Sequence, residues 1–195
     1  MSRLVVVSNR VAQPMETRAG GLAAAMRAAL KEHGGLWFGW SGKRVAESER
    51  TLHRERAGTI DYALLDLTRE EYEAYYLGFA NRTLWPLLHF QPTVMQYNRA
   101  QYTGYRAVNK LFAERLAPLL RDDDNIWIHD YHLIPLAAEL RDLGIGARIG
   151  FFLHIPLPPP ELLINLPCHA DLMSTLRACD LVGMQDRDDA RALFD

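Results

Sequence analysis

The chain has 195 residues, 49% of them hydrophobic and 24% charged, which suffices for one sizeable core but does not promise two complete domains. Its 22 Lys and Arg and 24 Asp and Glu are well mixed, so no basic stripe predicts a nucleic-acid partner. No apolar run reaches the length of a signal peptide or a membrane span, so a cytoplasmic globular protein is expected. The two cysteines, Cys168 and Cys179, allow neither a disulfide framework nor a paired zinc site.

Apolar runs of strand length alternate with segments of helical period, which predicts βαβ units and an α/β fold with a mostly parallel sheet and helices on both faces. Strands are expected at residues 3–8, 36–39, 59–65, 126–128, 148–153 and 181–184. Helices are expected at 22–33, after a capping box at 68–71, at 102–120, at 135–143 and from 186 onward. The polar stretch 43–58 is expected to be a hairpin or a flexible loop, and 122–124 a solvated turn.

Two features after the first predicted strand could bind phosphate. Arg10 follows that strand, where a guanidinium is either solvated or grips a phosphate dianion through its fork of donors. Gly20 and Gly21 open the next helix, where adjacent glycines either form a turn or let a diphosphate approach backbone N–H groups. The spacing is not G-x-G-x-x-G and the loop is too long for the tight dinucleotide turn, which argues against NAD binding.

Polar side chains leave two later strands at their carboxyl ends. His129, Asp130 and His132 follow the strand at 126–128, and His154 follows the strand at 148–153. Because ligands of open parallel sheets bind outside these ends, Asp130 and His154 are predicted to share a ligand site. The first three residues are also metal-ligand types, but there is no second cluster at metal-site spacing. A carboxylate that binds substrate hydroxyls is therefore favoured over a metal site.

Aromatic residues concentrate between these features. Tyr72, Tyr75, Tyr76 and Phe79 share one predicted helix, and Trp85 follows it. Core packing accounts for most of them. Some would line a cleft if the protein binds sugar, because flat apolar rings with polar edges suit pyranose rings.

Six separated motifs, taken together and in order, resemble bacterial trehalose-6-phosphate synthases. They are VSNR at 7–10, GGL at 20–22, LWFGWSG at 36–42, LWP at 84–86, WIHDYHL at 127–133 and GFFLHIP at 150–156. The resemblance covers essentially the whole chain. It implies a GT-B fold, in which two Rossmann-like domains face each other across a cleft. It also implies transfer of glucose from a nucleotide donor, usually UDP-glucose, to glucose 6-phosphate, giving α,α-trehalose 6-phosphate with retention and without a cofactor or metal.

On the acceptor side, the resemblance implies roles for five residues. Arg10 and Tyr76 would contact the acceptor phosphate, and Trp85 and Asp130 would line or hydrogen-bond the acceptor glucose. Trp40 would belong to the wall of the acceptor site.

On the donor side, the resemblance implies that Gly20 and Gly21 meet the diphosphate of UDP-glucose. His154 would lie beside the donor sugar near the reacting centre, and Ile155 would help to shape anomeric selectivity. His154 and Asp130 are therefore the predicted catalytic residues.

The implied mechanism is front-face substitution, in which the departing diphosphate helps to deprotonate the incoming hydroxyl. The sequence agrees, since it has no evident nucleophile with an adjacent base, so positioning and charge stabilisation would carry catalysis. A retaining hydrolase with two carboxylates is disfavoured, because only Asp130 leaves a strand end with comparable clarity.

Members of the family continue through a second, donor-binding domain. Residues 1–195 are therefore expected to form the N-terminal acceptor-binding Rossmann-like domain, the N-terminal half of a GT-B fold, with little or no turnover alone. Oligomerisation of the full-length protein stays open, and nucleic-acid and membrane partners are not expected. Two alternatives remain: a sugar-phosphate-binding module without catalysis, and a glucosylglycerol-phosphate synthase with glycerol 3-phosphate as acceptor. Tyr76, Trp85 and Asp130 favour a pyranose acceptor over glycerol 3-phosphate.

Overall fold

The computed structural model describes residues 2–12 and 21–193, and its strands form a single sheet. Strands β1 to β7 are Leu4–Arg10, Gly35–Val45, Leu52–Ala57, Ile60–Thr68, Asn125–His129, Arg148–Phe152 and Leu181–Gly183. Their order is β3-β4-β2-β1-β5-β6-β7, and every neighbouring pair is parallel except β3 and β4. The predicted mostly parallel sheet is confirmed.

Helices connect these strands. Helices α1 to α8 are Gly21–His33, Arg69–Glu71, Trp85–Leu88, Arg99–Leu116, Leu136–Asp142, Pro160–Leu163, His169–Ser174 and Arg187–Ala192. Short 3₁₀ segments are Glu47–Glu49, Pro92–Val94, Ala117–Leu119, Tyr131–Leu133 and Thr175–Ala178, and Tyr72–Leu84 is π-helical. In the capping box before α2, the Thr68 backbone N–H donates to Glu71 Oε2 (2.8 Å), and the Glu71 N–H donates to Thr68 Oγ1 (3.2 Å). Within the described ranges, no helix combines the length and apolar character needed to cross a membrane.

Alternate residues of β1 supply the two faces of the sheet. Val5 and Val7 belong to a core cluster that also contains residues of α4, while Val6 packs with Met26 and Leu30 of α1 on the opposite face. A strand that is covered on both faces reads as a continuous apolar run, which is why residues 4–7 show no polar alternation. The prediction of helices on both faces is confirmed.

The polar stretch 43–58 contains a strand, so the flexible-loop interpretation is wrong and the hairpin interpretation is right. β3 pairs antiparallel with β4, and the turn between them uses Gly58 at φ +63°. Most side chains of β3 are exposed. Backbone pairing rather than apolar alternation holds this edge strand, so the sequence carries little signal for it.

The turn at 122–124 is not fully solvated as predicted, because Asp124 is only 1% exposed. Its carboxylate accepts hydrogen bonds from Arg3 Nε (2.9 Å), Arg3 Nη2 (2.6 Å) and the backbone N–H of Arg121 (2.8 Å). This bidentate ion pair ties the segment before β5 to the start of β1, and it compensates the burial of the carboxylate.

Candidate functional site

The carboxyl ends of β5 and β6 place two predicted site residues side by side. His129, the last residue of β5, is in register with Phe152, the last residue of β6. The backbone N–H of Asp130 then donates to Phe152 O (2.8 Å), and the N–H of His154 donates to Asp130 Oδ1 (3.3 Å). Asp130 and His154 therefore belong to one polar cluster at this edge of the sheet.

Asp130 has a strained backbone. Its φ of 77° and ψ of 164° lie in a region that only glycine adopts freely. The side chain holds this conformation, since Oδ1 also accepts from the N–H of Tyr131 (3.1 Å). Burial raises the pKa of the carboxyl, although the hydrogen bonds from Tyr131 and His154 oppose that shift. Strain of this kind is concentrated at functional sites.

Five aromatic side chains form a continuous series of ring contacts, which we call the aromatic wall; three of them are buried, Tyr76 is partly exposed and Trp85 is exposed. It runs from Trp40 to Tyr76 (ring centroids 6.0 Å apart), to His132 (5.6 Å), to Tyr131 (4.0 Å) and to Trp85 (5.7 Å). The rings of Tyr76 and His132 lie within 12° of parallel. Three predicted acceptor-site residues, distant in sequence, thus belong to one cluster of rings. Trp85 is 44% exposed, and its ring also packs against that of His89 (ring centroids 3.9 Å apart).

Arg10 lies at the Trp40 end of the aromatic wall. Arg10 is exposed and pairs in register with Trp40, after a register shift that follows Ser8. Its guanidinium lies over Gly42, where an added Cβ would be 3.1 Å from Arg10 Nε. Gly42 also has a φ of +89°. The indole N–H of Trp40 donates to Lys43 O (2.7 Å), so Trp40 supports the wall while its N–H is already bonded.

An open cavity lies on the other side of His154. Its volume is about 680 Å³, within the range of small-molecule sites. The lining residues are Gly21, Leu22, Ala25, Met26, Trp127, Phe152, His154 and Gln185. The structure thus brings Gly21, the first residue of α1, to the same cavity as His154, while Gly20 lies outside the described residues. Ile155 is only 8% exposed and packs in the core behind this edge.

His129 and His132 do not share an environment, so the two imidazole rings do not converge on one point. The ring of His129 contacts Trp127 and His154, whereas the ring of His132 lies in the aromatic wall. Within residues 2–12 and 21–193, no group of three or more His, Cys, Asp or Glu side chains is arranged to hold a metal ion. Burial lowers the pKa of both histidines to about 3, so both rings are neutral near pH 7.

Sequence reasoning assigned no ligand-site role to Tyr131, Trp127 or Gln185. Tyr131 belongs to the WIHDYHL motif at 127–133, and its ring contacts those of Trp85 and His132 in the aromatic wall. Trp127 and His129 are two positions apart on β5, and this period of two was the available signal that they share a face of the sheet; Trp127 lines the cavity beside α1. The side chain of Gln185, which follows β7, donates a hydrogen bond to the backbone carbonyl of His154, which follows β6. No sequence pattern predicts this contact.

Comparison with known proteins identifies relatives over nearly the whole chain. Residues 2–195 match the family model for glycosyltransferase family 20. The chain is 53% identical over 190 residues to a trehalose-6-phosphate synthase of Sinorhizobium fredii and 48% identical over 196 residues to one of Citrobacter koseri. These matches cover 95% and 100% of this chain and 41% of each relative, so the chain spans about two fifths of their length.

Solved structures show the same fold. A UDP-forming α,α-trehalose-phosphate synthase from Burkholderia xenovorans, in complex with glucose 6-phosphate, superposes with a TM-score of 0.94 at 48% identity. That match covers 98% of this chain and 42% of that structure. An E. coli trehalose-6-phosphate structure bound with UDP-2-fluoro glucose also gives a TM-score of 0.94 at 48% identity, with coverage of 100% and 42%.

Proposed function

Because the chain belongs to glycosyltransferase family 20, we propose that residues 1–195 form the N-terminal, acceptor-binding domain of a retaining trehalose-6-phosphate synthase. The complete enzyme would transfer glucose from UDP-glucose to glucose 6-phosphate and release α,α-trehalose 6-phosphate. Support comes from relatives named for this activity and from similar structures that hold glucose 6-phosphate and UDP-2-fluoro glucose. Since the chain spans about 41% of those relatives, we assign it binding of the acceptor rather than the whole reaction.

The observation that carries the proposal is the aromatic wall, with a guanidinium at its Trp40 end and a carboxylate on the residue that precedes Tyr131. Arg10 adjoins Trp40, and Asp130 directly precedes Tyr131 in the chain. A phosphorylated pyranose has the complementary pattern, because its ring packs on aromatic faces and its phosphate pairs with a cation. In this proposal Arg10 and Tyr76 bind the phosphate and Trp85 contacts the sugar ring.

Asp130 would bind a hydroxyl of the acceptor sugar. Its Oδ1 is already engaged by two backbone N–H groups, so Oδ2 is the oxygen that remains for a substrate hydroxyl. A carboxylate that is held in this way orients a hydroxyl well, and it is poorly suited to swing toward an anomeric carbon as a nucleophile. This arrangement supports substitution assisted by the departing diphosphate.

The donor would occupy the cavity lined by Gly21 and His154, with its diphosphate near Gly20 and Gly21. The first N–H groups of α1 have no partner within the helix, and they suit a diphosphate there. Because the N–H of His154 is bonded to Asp130, the donor and acceptor sides meet at this pair, and the two sugars would be adjacent. Ile155 would shape the pocket from behind.

A binding experiment tests the acceptor assignment. The thermal unfolding temperature of the purified 195-residue chain is measured with glucose 6-phosphate, glycerol 3-phosphate and glucose. We expect glucose 6-phosphate to give the largest rise and Arg10→Ala to reduce it strongly, because the guanidinium is the proposed phosphate ligand. Arg54→Ala, at an exposed arginine of β3, is the matched control and should leave the rise intact.

Two results would contradict the acceptor assignment. If glucose 6-phosphate does not raise the unfolding temperature, the acceptor assignment is wrong. A larger rise in unfolding temperature with glycerol 3-phosphate than with glucose 6-phosphate would favour the glucosylglycerol-phosphate synthase alternative. A separate assay follows trehalose 6-phosphate formation from UDP-glucose and glucose 6-phosphate, where we expect little or no product from this chain alone. Turnover at the rate of a complete enzyme would overturn the restriction to acceptor binding.

A further inference from the structure

His129 and His154 meet edge to edge at the carboxyl ends of β5 and β6. Nδ1 of His129 lies 2.9 Å from Nε2 of His154, whereas the ring centroids are 5.2 Å apart and the ring planes differ by 27°. Because the nitrogens are much closer than the centroids, the rings are not stacked face to face and share one N–H···N hydrogen bond. One nitrogen must carry the proton and the other must accept it, so the tautomer of one ring determines that of the other.

The surroundings of His129 decide which nitrogen carries the proton. His129 is 0% exposed, and within the described part of the chain its Nε2 has no hydrogen-bond partner. A buried N–H without an acceptor is rarer in proteins than a buried acceptor without a donor. The favoured form of His129 therefore has its proton on Nδ1 and a bare Nε2. Nδ1–H then donates to Nε2 of His154.

The consequence falls on the ring nitrogen of His154 that remains. Neutral imidazole carries one proton, so a bare Nε2 places the proton of His154 on Nδ1. Burial lowers the pKa of both rings, which keeps the pair neutral near pH 7. Within the described ranges, no hydrogen bond to Nδ1 of His154 occurs, and His154 lines the open cavity with Gly21. That nitrogen is available to a ligand as a donor.

We propose that His129 is a positioning residue that holds His154 in its Nδ1–H tautomer, so that His154 donates a hydrogen bond to an oxygen of the nucleotide-sugar donor. The identity of that ligand rests on the proposed function, whereas the tautomer does not. Asp130 fixes the backbone N–H of His154 and His129 fixes its ring, so both parts of the residue are oriented before a ligand arrives.

The tautomer can be measured directly by ¹⁵N NMR of the histidine ring nitrogens in the ligand-free 195-residue chain near pH 7. We expect His154 to be protonated on Nδ1 and bare on Nε2, and His129 to show the same pattern. A His154 ring protonated on Nε2 would overturn the proposal, since His129 would then be the acceptor. Because this measurement uses the wild type, it does not depend on whether a variant folds.

Variants at His129 test whether it causes the tautomer. In His129→Leu we expect His154 to shift toward the Nε2–H form that solvated histidine prefers, because its acceptor nitrogen has lost the donor. His129→Asn should restore the Nδ1–H form, since an amide N–H can replace the Nδ1–H. His53→Leu, on β3, is the control and should leave the His154 signals unchanged.

An unchanged His154 tautomer in folded His129→Leu would overturn the positioning role. Because these spectra are recorded without substrate, they are independent of the glucose 6-phosphate binding test. Failure of the proposed function and failure of this inference are therefore distinguishable.

Discussion

Three substitutions at Asp130 separate the strain of its backbone from the role of its carboxylate. Asp130 has φ 77° and ψ 164°, and Oδ1 accepts from the backbone N–H groups of Tyr131 (3.1 Å) and His154 (3.3 Å). Asp130→Ala removes the acceptor and keeps the strain. Asp130→Gly removes the acceptor and relieves the strain, and Asp130→Asn keeps an acceptor oxygen but removes the charge.

The expected free energies of unfolding follow from these differences. A non-glycine residue in this region costs about 1–3 kcal/mol, and the greater freedom of glycine in the unfolded chain costs about 0.4–1 kcal/mol. Asp130→Gly should therefore be more stable than Asp130→Ala by about 1–2 kcal/mol. Loss of two long hydrogen bonds to a carboxylate should make Asp130→Ala about 3 kcal/mol less stable than the wild type. Asp130→Asn keeps both the backbone strain and an acceptor oxygen, so it should stay within about 1 kcal/mol of the wild type.

Urea unfolding at pH 7, followed by tryptophan fluorescence, measures the stability order, and calorimetric titration with glucose 6-phosphate measures binding. We expect all three variants to lose roughly tenfold or more in affinity, because a neutral or absent acceptor replaces a charged one. If Asp130→Ala is as stable as Asp130→Gly, the argument from backbone strain is refuted. If Asp130→Asn binds like the wild type, the carboxylate does not bind the acceptor.

Three further predictions concern stability and phosphate binding. Burial lowers the pKa of His132 to about 3, so between pH 3 and 6.5 the unfolded chain binds more protons than the folded chain, and the free energy of unfolding should fall as the pH drops through that range. In urea unfolding at a series of pH values, His132→Phe should lose about 3–5 kcal/mol less stability between pH 6.5 and pH 3 than the wild type, and an equal pH dependence would contradict this. Asp124→Asn should lower the free energy of unfolding by about 2–4 kcal/mol, because it weakens a buried bidentate ion pair. Asp122→Asn, at an exposed carboxylate, is the control and should change that free energy little in the same urea assay. Gly42→Ala should weaken glucose 6-phosphate binding severalfold, because the added Cβ would contact the Arg10 guanidinium and because residue 42 has φ +89°. Unchanged affinity in calorimetric titration would be evidence against Arg10 as the phosphate ligand.

Several features of the site follow from sequence pattern. β5 and β6 were evident as short apolar runs, and the residues that end them had to lie at the same edge of a parallel sheet. The proximity of Asp130 and His154 was therefore predictable. The capping box at Thr68 was also predictable, because it depends on residues three positions apart.

The aromatic wall could not be predicted from sequence periodicity. Tyr75 and Tyr76 are neighbours on one helix, yet Tyr75 is fully buried and Tyr76 joins the wall. A period of 3.6 residues would not have placed them, because this stretch is π-helical. The positions of Trp40 and Trp85 relative to Tyr76 depend on packing among three separate elements. The implied grouping came from the family resemblance and not from periodicity.

The order of residues along the chain thus determined the mostly parallel sheet and the polar residues at its carboxyl edge, because both depend on local periodicity and on the geometry of parallel strands. Tertiary structure alone decided the conformation of Asp130, the contact between His129 and His154 and the continuity of the aromatic wall. Each of these depends on register and side-chain packing between segments that are distant in sequence, and a difference of an ångström there decides whether a hydrogen bond exists.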